Sequence, residues 1–250
     1  MKIKAMYSIA LMVALLALGL PVHASTTDDR IESSARKSYV FKTYLEGDDI
    51  NIQSKDGVVS LTGTVSEESH KSLAQETVAD LPGVKSVDNR LEVKGAPTAN
   101  SDALLMDKVK SALMFRRSVS AEKTEVDVKD GIVTLRGTAT SQAQKDLTTE
   151  YAKDVEGVKD VRNEMTVSNT SGKTHRTVIG QIDDASITAQ VNIALLFHRS
   201  TSFLHTTVRT NRGVVTVGGK ARNLAEKDLV NKLVNDINGV NGVNNRMTIE

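Results

Sequence analysis

Chemistry in a chain of 250 residues with no cysteine must come from histidines, carboxylates, hydroxyls or cations. Beyond the first residues there are four histidines, His70, His175, His198 and His205. A metal or acid–base centre needs imidazoles at ligand spacing with further ligands or a carboxylate partner. None of the four belongs to a repeated pair, and His198 and His205 have no clear carboxylate partner in the sequence. The lack of cysteine excludes disulfides and thiolate metal sites. No serine sits in a nucleophile elbow, and Gly218-Gly219 falls inside a strand pattern instead of before a helix, so it is no phosphate cradle. The carboxylates are scattered over expected helix surfaces. The residues therefore predict no catalysis, no metal, no cofactor and no small-molecule substrate.

A different pattern does point to a surface. Phenylalanine stands next to cations in Tyr39-Val40-Phe41-Lys42, in Leu113-Met114-Phe115-Arg116-Arg117 and in Leu195-Leu196-Phe197-His198-Arg199. Rings that enter the acyl boundary while cations meet phosphates are what a membrane interface selects. The alternative is that each ring closes a small core, since such domains must bury their few aromatics. Farther on, Phe203-Leu204 is flanked by His198, Arg199, His205 and Arg209. An apolar loop tip ringed by cations could dip into an anionic leaflet, or Leu204 could pack into the core and leave Phe203 exposed. Phe115, Arg116, Arg117, Phe197, His198, Arg199, Phe203, Leu204 and Arg209 are thus the candidate membrane- or partner-binding residues.

These residues sit within a threefold repeat. Asp56-Gly57 followed by Val58-Val59-Ser60-Leu61-Thr62-Gly63 returns as Asp130-Gly131 with Ile132 to Gly137, and as Arg212-Gly213 with Val214 to Gly219. A second glycine follows each turn at the same interval, 26 residues on: Gly83, Gly157 and Gly239. One internal spacing kept in three copies marks one folding module used three times. The modules are residues 29–95, 103–169 and 184–250. The linkers are 96–102 and 170–183, the second rich in Ser, Thr and Gly and expected to be flexible.

Each module reads helix, strand, strand, helix, strand, the pattern of an α+β fold. Leu105, Val109 and Leu113 recur at helical steps, as do Ile187, Val191 and Leu195, with Ile31, Ala35 and Tyr39 in the first copy. The turn glycines suit a two-residue hairpin. Arg212 replaces aspartate in the third turn. Ser66, Ser141 and Asn223 are expected to cap the second helix, Ser141 with Gln144 and Asn223 with Glu226 forming capping boxes. Its buried face is Leu73, Val78 and Leu81, then Leu147, Ala152 and Val155, then Leu229, Val234 and Ile237. Gly83, Gly157 and Gly239 end it. Asn89, Asn163 and Asn245 lie in the last strands, where an amide is expected to satisfy backbone groups.

The glycine-centred hairpin, the valine-rich strand ending in Gly63-Thr64 or Gly137-Thr138, and the Gly-Val ahead of an asparagine-bearing strand resemble the BON domain. The resemblance covers nearly all of the chain after residue 24. It implies two helices on a three-stranded mixed sheet in each module. It also implies a non-catalytic envelope role, with phospholipid contact and stress protection.

Lys2 and Lys4, the uncharged run from Ile9 to Leu20 and the small residues ending at Ala24 have the layout of a signal peptide cut after Ala24. Without cysteine the new terminus carries no lipid, and a bacterial periplasm is the expected compartment. Net charge is +1 overall. It grades along the chain, with nine basic and twelve acidic residues in 29–95, eleven of each in 103–169, and eight against five in 184–250. With the osmotic-stress and phospholipid role that the resemblance implies, the expectation is a protein that holds anionic phospholipid surfaces or envelope partners, or alternatively a chaperone for unfolded envelope proteins. No nucleic acid is expected as a partner.

Overall fold

A computed structural model describes residues 22–95, 102–168, 182–201 and 203–250. The expected signal peptide (apart from its last residues), most of both linkers, and His175 lie outside the described residues.

The first module contains α1 (Val22–Lys37), α2 (Tyr39–Thr43), β1 (Asp49–Lys55), β2 (Val58–Val65), α3 (Glu68–Ala79) and β3 (Ser86–Val93). The second contains α4 (Asp102–Met114), β4 (Thr124–Lys129), β5 (Ile132–Ala139), α5 (Gln142–Lys153), β6 (Asp160–Asn163) and β7 (Thr166–Val167). The third contains α6 (Asp184–Leu196), β8 (Thr206–Asn211), β9 (Val214–Ala221), α7 (Leu224–Asn235), β10 (Gly242–Asn245) and β11 (Thr248–Ile249). A short 3-10 turn precedes β4 and β8, at Ala121–Lys123 and Phe203–His205.

All three sheets have one topology. The first two strands form an antiparallel hairpin, and the last runs parallel to the second. A parallel pair needs a crossover, which α3, α5 and α7 supply. The register repeats as well: Ile52 faces Leu61, Val126 faces Leu135 and Val208 faces Val217. Side chains alternate across the pleat, so Val59 and Leu61, Val133 and Leu135, and Val215 and Val217 are buried under the helices. In the second and third modules the last strand is split in two, yet its register to the central strand is kept.

Local chemistry explains the turns. Asp56, Asp130 and Arg212 have φ of 54, 55 and 51°, and the glycines after them are also positive. Two left-handed residues in sequence make the primed hairpin turn, so Arg212 does not alter it. A Cβ at Gly137 would lie 2.0 Å from the Lys123 carbonyl oxygen, so only glycine fits there.

Several expectations change. Ser66 does not cap α3. Glu67 is the N-cap and makes no side-chain cap bond. The Ser66 hydroxyl instead pairs with the His70 ring, and its N–H donates to Asp48. Ser141 and Asn223 do cap, accepting from the N–H of Gln144 and Glu226. The return half of each box lands one residue early, on the N–H of Thr140 and Arg222. The first helix of the first module breaks at Ser38, which caps α2, and Val40 takes the buried place expected of Tyr39. Leu147, expected in the core, is 40% exposed, whereas its counterpart Leu73 is 2% exposed.

The modules are not beads. The second has its own core, but the first and third share one apolar cluster, into which Phe115 of the second also projects. The helix α6 packs on its own sheet and on α3 and α4. From Ala185 to Leu195 every residue except Asn192 is buried.

Candidate interaction site

The aromatic–basic helix ends meet one another. The end of α4 lies against the end of α7, and the end of α6 lies against the end of α5. Arg116 and Ile237 form one antiparallel bridge, and Val155 and His198 form its counterpart. The Asn238 N–H donates to the Phe115 carbonyl at 2.9 Å, and the Glu156 N–H donates to the Phe197 carbonyl at 2.9 Å. The Arg117 N–H reaches the Asp236 carbonyl at 3.0 Å, and the Arg199 N–H reaches the Asp154 carbonyl at 2.9 Å. The second and third modules are therefore related by a local twofold.

The side chains repeat this symmetry. Arg117 Nη2 donates to the carbonyls of Ile237 and Val240, both at 2.7 Å. Arg199 Nη2 donates to Val155 at 3.1 Å and Val158 at 2.7 Å. These carbonyls lie in the turn that follows α7 or α5, so each guanidinium ties that turn down, while the Arg117 and Arg199 N–H groups cap the helix itself at the Asp236 and Asp154 carbonyls. Each module thus caps the second helix of its neighbour.

Arg116 goes further in. It is 3% exposed, donates to the Leu233 carbonyl at 2.6 Å, and lies 4.7 Å from the centre of the Tyr151 ring. Such cation–ring contact offsets part of the desolvation cost. Burial pulls the Arg116 pKa down. The Tyr151 hydroxyl and Ser118 both donate to the Asp236 carboxylate at 2.6 Å. His198 is also buried, with Nε2 at 3.6 Å from the Asp154 carboxylate. That histidine, with Arg199 and Arg116 beyond it, holds the Asp154 carboxyl below its usual range. His198 therefore has a carboxylate neighbour that no local window of sequence reveals, and His70 has another in Asp48 at 2.6 Å.

Of the nine candidate contact residues, Phe115, Arg116, Arg117, Phe197, His198 and Arg199 fall in this junction. Phe115 is 1% exposed, and its ring stacks edgewise on Tyr44 at 5.4 Å. Phe197 is half-buried beneath Lys108. Phe203 and Leu204 lie in the 3-10 turn before β8. Phe203 lines an open cleft of about 200 Å³ with Ser72, Glu76, Asn192, Ile193 and Leu196. Arg209 is exposed on β8. It belongs to a face the sequence reading did not single out. No acidic residue occurs in β8, β9, β10 or β11, while Arg209 on β8, Lys220 on β9 and Arg246 between β10 and β11 are all exposed. The other two sheets mix Asp49, Asp88, Glu92, Glu125, Asp127 and Asp160 with their cations. Among the described residues no cluster of His, Asp or Glu could hold a metal ion.

Sequence reasoning also missed a repeated anchor. The Asp28 carboxylate accepts from the N–H groups of Asp56 and Gly57. Asp102 does the same for Asp130 and Gly131, and Asp184 for Arg212 and Gly213. The fixed interval of 29 residues from aspartate to turn glycine was the available signal. The strand asparagines behave as expected: Asn89, Asn163 and Asn245 donate to the carbonyls of Lys71, Lys145 and Lys227 and accept from the N–H two residues on.

Comparison with known proteins agrees with this architecture. The chain is 29% identical over 143 residues to osmotically-inducible protein Y of Escherichia coli (strain K12), covering 55% of this chain and 71% of that protein. A solved structure of CdsD, the structural protein of the type III secretion system of Chlamydia trachomatis (C-terminal domain), aligns over 95% of this chain and 100% of its own. Its identity is 17% and the TM-score 0.24. A second CdsD structure aligns over 88% and 90%, with 16% identity and a TM-score of 0.24. At that score neither superposition carries an argument. The BON domain matches residues 27–95, 101–169 and 183–250, one match for each module described above, and the chain belongs to the BON domain family.

Proposed function

We propose that this is a non-catalytic protein of the bacterial envelope, acting in the periplasm under osmotic stress by adhering to anionic phospholipid surfaces through its third module. The observation that carries the reading is the third sheet, which exposes Arg209 and Lys220 on its strands and Arg246 between β10 and β11, and whose strands hold no acid, Glu250 following β11. The similarity to osmotically-inducible protein Y supports the stress context. Phe115, Arg116 and Arg117 are engaged inside the molecule, so they join a lipid contact only if the module pair opens.

A cation near an anionic leaflet contributes about 1 kcal/mol, so the three together contribute about 3 kcal/mol, or roughly a hundredfold in partitioning. Flotation with phosphatidylglycerol vesicles tests this. The full chain should float, less so as salt rises, and the R209A, K220A, R246A variant should stay at the bottom. Equal flotation of parent and variant sinks the reading. Loss with Phe203→Ser alone would move the contact to the loop.

The cleft lined by Ile193, Leu196 and Phe203 favours a second reading, a chaperone for unfolded envelope proteins. Suppression of a denatured client's aggregation in lipid-free buffer, lost on Leu196→Ser, supports that alternative.

A further inference from the structure

The first module does not take part in the reciprocal capping, and its sequence says why. Two contacts of the junction between the second and third modules recur in both halves and depend on which residue supplies them. One is the arginine, Arg117 or Arg199, whose Nη2 donates to two carbonyls of the turn that follows the neighbour's second helix. The other is the backbone N–H of the residue before the second signature glycine, Glu156 or Asn238, which donates to the carbonyl of the neighbour's phenylalanine. In the first module the arginine position is Thr43 and the donor position is Pro82. Threonine cannot span to two carbonyls, and proline has no N–H to donate. Thr43, Pro82 and the cation Lys42 beside them are exposed. The first module docks through other groups: α3 packs on α6, the Tyr39 N–H donates to the Asp183 carboxylate at 2.7 Å, and Asn192 donates to Glu76 at 2.7 Å.

We propose that the ends of the two helices form a self-complementary pairing surface whose partner is another BON module, licensed by an arginine two places after the phenylalanine and a residue other than proline before the second glycine. The same patch serves both partners, as a twofold contact requires. Two positions per module therefore decide which modules pair. They admit the second and third and exclude the first. The exclusion resembles the use of proline to blunt a strand edge, since it removes a donor without disturbing the module that carries it. The first module keeps its fold with Pro82 in place, so the residue is compatible with the fold at this point.

The test uses the full chain, which has no native cysteine to interfere. Spin labels are attached through Glu150→Cys on α5 and Asp228→Cys on α7, both exposed sites, and the distance between them is measured by pulsed electron resonance. The parent should give one narrow distribution. Arg117→Thr with Arg199→Thr should lose that narrow peak, and N238P, which copies the first module's proline, should broaden it with the far-ultraviolet circular dichroism unchanged. Pro82→Glu should leave it untouched. A narrow peak retained in either the double threonine variant or N238P overturns the proposal. If either variant loses secondary structure, Arg117→Met with Arg199→Met decides: methionine keeps an unbranched stem without any N–H donor, so an unbroadened peak overturns the proposal as well.

Discussion

Asp107 is buried in α4, 8% exposed, where Glu67 and His70 of the first module and Lys110 of its own helix act on its charge. Burial first, and repulsion by Glu67 second, push its carboxyl up to about 6. The folded chain then takes up this proton near pH 6, whereas the unfolded chain takes it up near 3.8. Between those values the native state binds more protons, so stability rises as pH falls through this window and declines as pH rises through about 6. Asp80, raised chiefly by burial, contributes with the same sign. Asp154 and Asp28 are held low by hydrogen bonds, so their stabilisation is present above the ordinary carboxylate range and is lost only in stronger acid. Asp107→Asn should therefore raise the urea midpoint near neutral pH and flatten its rise on acidification to about pH 5. An unchanged pH slope in the variant would show that Asp107 is not the group responsible.

The elements divide into those a local window specifies and those it does not. The hairpins, the parallel crossover and the strand asparagines depend on contacts within a module, and the positive φ of residues 56, 130 and 212 follows directly from their turn glycines. The second helices do not share one environment. Leu73 and Leu147 occupy the same step of α3 and α5, and both read as core from periodicity. Leu73 is buried because α3 packs against α6 as well as on its own sheet, while Leu147 stays 40% exposed. Leu73→Ala should cost roughly 2–5 kcal/mol, in the range for a buried leucine. Leu147→Ala should cost less than about 1 kcal/mol, as surface changes do. Equilibrium denaturation of the two variants side by side checks the asymmetry, and equal losses would refute it. The same reasoning explains the aromatic–basic ends. Their composition announced an interface, but whether the partner was a bilayer or a sister module depended on residues more than a hundred positions away, such as Ile237 for Arg117.

At the scale of the molecule, α6 is the piece that joins the modules. It carries no charged residue between Asp184 and His198, whereas α4 at the same place in its module carries Asp107, Lys108 and Lys110. A stretch of helix with no charge on any side, only Ser186, Thr188, Gln190 and Asn192 among apolar residues, can be covered on more than one side, and a single module offers it only one sheet. That uncharged stretch stands in the sequence as a signal, missed when only one face of the helix is read, of the second covering layer that α3 and α4 provide. The consequence is energetic coupling between the first and third modules, which are separated by a whole module in sequence. Val78 on α3 is fully buried in the cluster they share. Val78→Ala should therefore lower amide-exchange protection in β9 as well as in β2, because local opening follows cooperative units of packing, not sequence order. Hydrogen exchange read by mass spectrometry distinguishes the cases. If only peptides from β1 to β3 exchange faster, the shared cluster is a contact without cooperativity; if β9 exchanges faster too, modules one and three unfold as a unit.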